Sequence, residues 1–61
     1  MGAAQQYMET IIRSMESRRE GFEELSPSQK ENYFKGTART HNPVIPDNEI
    51  QDYWNANAHR V

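Results

Sequence analysis

The chain contains no cysteine. Disulfide scaffolds, thiolate zinc sites and thiol nucleophiles are excluded together. The absence suits a reducing compartment, so a cytoplasmic or other intracellular location is the expectation. Long apolar runs are also missing. No more than two strongly apolar residues stand together, which leaves no membrane-spanning segment. The opening MGAAQQYMET lacks the basic-then-apolar layout of a signal peptide. Gly2 follows Met1 as in a myristoylated start, but Gln6 occupies the place where that motif carries Ser or Thr.

Large aliphatic residues are scarce too. Leu, Ile, Val and Phe number nine of 61 residues, below the rough 20% at which disorder becomes an option. The other mark of disorder, high net charge, is absent, because the formal charge is only −2. Six aromatic residues are present. The expectation is one small ordered domain over residues 1–61, with a thin core that gains stability from a partner or from self-association.

Punctuation divides the chain into three segments and predicts an all-α fold. Helices are expected over about 4–24, 27–40 and 48–60, with an extended connector at 42–46. In the first segment Ala4, Met8, Ile11, Met15, Arg18, Phe22 and Leu25 recur at alternating spacings of four and three. That is a heptad seam interrupted by an arginine. It reads either as the core face of a small domain or as a coiled-coil-like self-associating surface, in which case the chain is a helical oligomer. Ser26, Pro27 and Gln29 give the second segment a capping box with proline at the first helical position. Its apolar face is Tyr33, Phe34 and Ala38, with Thr37 or His41 as a further member. Asn42, before Pro43, is pushed out of the helical region. Between Pro43 and Pro46, Val44 and Ile45 are expected to lie across an apolar surface. In the third segment Asp47 is expected to cap, and Ile50, Trp54, Ala58 and Val61 share a stripe.

No arrangement of nucleophile, base and acid has the spacing of a known catalytic motif. His41 and His59 stand at helix ends, and the acidic residues match no zinc or calcium loop. Neither catalytic nor metal-ligating residues are assigned, no cofactor is implied, and no small-molecule substrate is expected. Charge is distributed unevenly. The first 25 residues and the last 18 each carry −2, while Lys30, Lys35 and Arg39 leave the middle segment at +2. A direct nucleic-acid footprint of three cations is thin, because affinity scales with the phosphates neutralised.

Asp47-Asn48-Glu49-Ile50, Tyr53-Trp54, Ala56 and His59-Arg60-Val61 together resemble a helix of the Hha/YmoA-type nucleoid modulators. The neighbourhood of Tyr7, Met8 and Arg13 is loosely similar to that family's first helix. The resemblance covers about a quarter of the chain and does not extend to its middle. It implies a small all-α bacterial cytoplasmic protein that docks on a DNA-binding partner of the H-NS type. Asp47, Glu49 and Asp52 would then make the charged contact.

The residues point to a small non-enzymatic interaction module, an accessory subunit, inhibitor or adaptor acting on a larger protein or on itself. Aromatic and arginine side chains are favoured interface anchors. Arg18, Phe22, Phe34, Ile45 and Trp54 are therefore the expected partner-binding residues. Lys35, Arg39, Asp47, Glu49 and Asp52 are the expected charged contacts. The same aromatics equally suit a core. The alternative is a transcription-related regulator that binds DNA through the basic middle helix or modulates a DNA-binding partner.

Overall fold

The computed structural model describes residues 3–41 and 43–61. Met1, Gly2 and Asn42 fall outside them, and with them the expectations about the N-terminal glycine and the start of the connector. The fold is all-α. Helix α1 spans Ala3–Ser17, α2 Arg19–Phe22, α3 Pro27–His41 and α4 Asp47–Asn57, and a 3-10 turn follows at Ala58–Arg60. The three longer helices run up, down and up around one core, with overall dimensions of 30 × 19 × 18 Å.

The first expected helix, 4–24, is two helices. Arg18 leaves helical geometry, with φ −110° and ψ 31°. Nothing as strong as proline marks this break in the sequence. Its cause is tertiary. The single turn of α2 brings Phe22 back over the bundle, where its ring meets Tyr33 edge-on at 5.0 Å between centroids. The other two helices lie close to their expected ranges. The cap of α4 differs by one residue. Pro46, in an extended conformation, precedes the first helical residue, and no side chain caps it. Asp47 is already inside the helix, and its carboxylate takes Arg39 instead, at 3.0 Å.

The capping box of α3 is present in both directions. The Gln29 amide donates to Ser26 Oγ at 3.2 Å, and the Ser26 amide donates to Gln29 Oε1 at 2.8 Å. Two backbone donors that the helix leaves open are thereby satisfied.

Met8, Ile11, Ile12 and Met15 of α1 meet Phe22, Phe34, Ala38, Ile45, Ile50 and Trp54 in the core. Met8, Ile11, Met15 and Phe22 of the heptad seam are thus buried within the chain, while its Arg18 is exposed. The Phe34 ring packs on Trp54 at 5.3 Å and stacks on Tyr53 at 6.3 Å. The proline-bracketed connector divides its two apolar residues. Ile45 is buried, while Val44 stands 83% exposed. No described buried side chain carries an unpaired polar atom.

Gly36 lies within α3, and a methyl group added there would meet nothing within 4 Å. Helical glycine carries a backbone-entropy cost that alanine lacks. Gly36→Ala should stabilise the chain by about 0.4–1 kcal/mol. The thermal midpoint should rise by roughly 4–8 °C per kcal/mol in a domain of this size. A midpoint that stays level or falls would contradict the open space.

Candidate functional site

Two surface features stand apart from the core. The first is an ionic latch between the chain's last turn and α1. Arg60 Nη2 lies 2.8 Å from Glu9 Oε2 and 3.1 Å from Glu16 Oε1. Its Nε donates to Glu16 Oε2 at 3.1 Å, and its Nη1 donates to Glu9 Oε1 and to Asn57 Oδ1. The Tyr53 hydroxyl donates to Glu9 Oε1 as well, and Arg13 Nε reaches Glu9 Oε2 at 3.0 Å. Glu9 and Glu16 share one face of α1 because seven residues make two helical turns. The Arg60 guanidinium, and after it the Tyr53 hydroxyl, hold the Glu9 carboxyl down to about 2 from an ordinary 4.5. Glu9 and Glu16 in turn hold Arg60 firmly in its protonated form. Burial, and then the neighbouring Glu9 carboxylate, push the Tyr53 hydroxyl above its usual range.

The second feature is a groove of about 280 Å³ between α1 and α3. Helix α1 contributes Tyr7, Thr10, Ile11 and Ser14, and α3 contributes Tyr33, Thr37 and His41. None of these is an aspartate, glutamate, lysine or arginine. Four other hollows on the surface each carry at least one carboxylate: Glu16, Glu20 and Glu23 line one beside Arg18 and Arg19, Glu49 and Asp52 a second, Glu9 a third and Glu31 a fourth. In a chain with 26% charged residues, an uncharged groove flanked by tyrosines is the exception. Arg18 stands at its Tyr33 end. Its Nη2 donates to the Tyr33 hydroxyl at 2.7 Å, and its guanidinium lies 5.9 Å from the centre of the Phe22 ring.

No protein-family model matches this chain, and comparisons with curated proteins and with solved structures return no match.

The expected site residues separate into inside and outside. Phe22, Phe34, Ile45 and Trp54 are all core residues, each at most 7% exposed. While this fold holds, they offer a partner no face. Arg18 is exposed at the groove. Lys35 is engaged by Glu31 at 2.8 Å, across one turn of α3. Lys35, followed by Gln51, keeps the Glu31 carboxyl below its usual range. Arg39 pairs with Asp47, as described above, and Lys30 reaches toward the Val61 carbonyl at 3.4 Å. The three cations of the middle helix are thus each turned to a partner within the chain. Glu49 and Asp52 are exposed on α4 and form no ion pair among the described residues. Among those residues there is also no group of three or more acidic or histidine side chains placed to hold a metal ion. No described helix is long and apolar enough to cross a membrane.

Tyr7, Thr10, Ser14 and Thr37 were missed as site residues. For Tyr7, Thr10 and Ser14 the signal in the sequence is the missing charge at positions 3, 7, 10, 14 and 17, a stripe along α1 at helical spacing, whereas Thr37 lies on α3 beside the apolar face read there.

Proposed function

We propose that this chain is a non-enzymatic protein-docking module that presents the α1–α3 groove to a larger protein. The observation that carries this reading is the groove's freedom from charge on an otherwise charged surface. Charged residues are depleted at the centres of protein interfaces, and aromatic residues are enriched there. Tyr7 and Tyr33 supply the aromatic walls. Thr10, Ser14 and Thr37 are small enough for another backbone to approach closely. The core is complete without a partner, so the module docks as a folded unit. The groove is open, and among the described residues no hydrogen bond joins His41 to the hydroxyls of Thr10, Ser14 or Thr37, which supports binding over catalysis.

A photo-crosslinking residue placed at Ser14 or Thr37, in the cells that make the chain, tests the reading. One discrete heterologous adduct should form from both positions. None should form from Asn55, exposed on α4. Ser14→Arg should abolish the Thr37 adduct while leaving the helical circular dichroism intact. Equal labelling from Asn55, or persistence of the adduct in Ser14→Arg, would remove the groove from consideration.

A further inference from the structure

Residues 47–61 are held to the rest of the fold by residue types that usually hold separate chains together. Tyr53, Trp54 and Arg60 fall within this one segment, and tyrosine, tryptophan and arginine are enriched at the hot spots of protein–protein interfaces. All three bind the pair formed by α1 and α3. Trp54 lies on the Phe34 ring at 5.3 Å between centroids, and Tyr53 stacks on the same ring. The Tyr53 hydroxyl donates to Glu9. Arg60 gives four of its five N–H donors to Glu9 and Glu16. At the other end of α4, Asp47 takes Arg39. Side chains thus specify this contact along the whole length of the segment. Any copy of the α1–α3 pair offers the same partners.

The covalent tie to the segment is built differently. Pro43 fixes its own φ, and Pro46 biases Ile45 toward extended backbone. Pro46 itself stands at φ −62° and ψ 146°, close to polyproline geometry. Between the two prolines Val44 is exposed, and Ile45 alone anchors the connector in the core. A specific docking face behind a short, conformationally restricted connector is the arrangement that favours exchange of an element between copies.

We infer that α4 and its 3-10 turn exchange between two copies of this chain at high concentration, each packing on the α1–α3 pair of the other. Every contact described above is then remade across the two copies, and only the connector changes course. The extended backbone that the prolines favour serves the open form. The two connectors run past each other at the two-fold axis, where the exposed Val44 of each finds an apolar neighbour. The α1–α3 groove lies wholly within one copy, so the exchanged dimer presents it twice. This goes beyond the docking reading and does not depend on it.

Isotope-labelled and unlabelled full chains, mixed in urea and refolded together at millimolar concentration, supply the test. Size exclusion should separate a dimer that dissociates slowly on dilution. An isotope-filtered NOE spectrum of that dimer should show contacts between copies from the Phe34 ring to the Trp54 ring. It should show none between Phe22 and Tyr33, whose rings meet 5.0 Å apart in the part that stays together. A Gly-Ser-Gly-Ser run inserted after Val44 should keep the helical circular dichroism and cut the dimer fraction several-fold, because a longer connector lets α4 return to its own copy. Should the inserted chain not fold, the contacts between copies decide alone. Monomer at every concentration, a dimer without Phe34–Trp54 contacts between copies, Phe22–Tyr33 contacts between copies, or a folded insertion variant that dimerises undiminished would each overturn the inference.

Discussion

Phe34→Ala should abolish the cooperative thermal unfolding of this chain. The ring is completely buried and lies on α3 between α1 and α4. It touches Trp54 and Tyr53 directly. Truncating a buried phenylalanine typically costs about 3–5 kcal/mol, through lost transfer energy and the cavity that remains. A domain of this length has a total stability of roughly 3–9 kcal/mol at usual per-residue values. A core with so few large aliphatics also has little with which to refill the space. The variant should therefore be largely unfolded, with weak helical circular dichroism and no sharp transition. Phe34→Leu keeps most of the volume and should retain a transition at a lower midpoint. If Phe34→Ala melted within a few degrees of the parent, the three helices would not depend on this ring.

Acid should loosen the fold through Glu9. Its carboxyl titrates near 2 in the folded chain and near 4.5 when free. As pH falls through 4.5, the unfolded chain takes up a proton that the folded chain still refuses. Protonation then favours unfolding. The contribution is complete above about 4.5, declines as pH drops and is gone below about 2. Glu31, lowered by Lys35, acts in the same direction. Urea midpoints measured across this window should fall with pH. In Glu9→Gln the curve should start lower at neutral pH and run flatter, keeping only the slope that Glu31 and its like supply. An unchanged slope would mean that the latch does not couple to folding.

How far the sequence revealed this arrangement depended on the distance over which each signal acts. The start of α3 was legible because Ser26, Pro27 and Gln29 are neighbours, and a capping box is local chemistry. The face of α1 was legible because Met8, Ile11 and Met15 repeat with the helix. What they pack against was not, so a self-associating seam and an internal core looked alike. The break at Arg18 was marked only by an arginine within the seam and by Gly21 three residues on, signals of a weak point and not of a stop, while the packing of Phe22 on Tyr33 is tertiary. Asp47 looked like a cap because its competitor, Arg39, lies eight residues away on another helix. The latch was beyond reach for the same reason, with Arg60 44 and 51 residues from its two carboxylates. The groove was harder still. It consists of missing charges on two helices, and they form one surface only after α1 and α3 are side by side.

Those separations also set an order of events. A helical bundle with short connections folds mostly through contacts near in sequence, which form early and fast. Helix α1, the turn of α2 and α3 can meet as soon as they exist. Arg60 follows Glu16 by 44 residues and Glu9 by 51, so on the ribosome the two carboxylates are made well before their partner. Until it arrives, Glu9 has Arg13 on its own helix, and Glu16 has no ion-pair partner among the described residues. The latch is thus the last of these contacts to close.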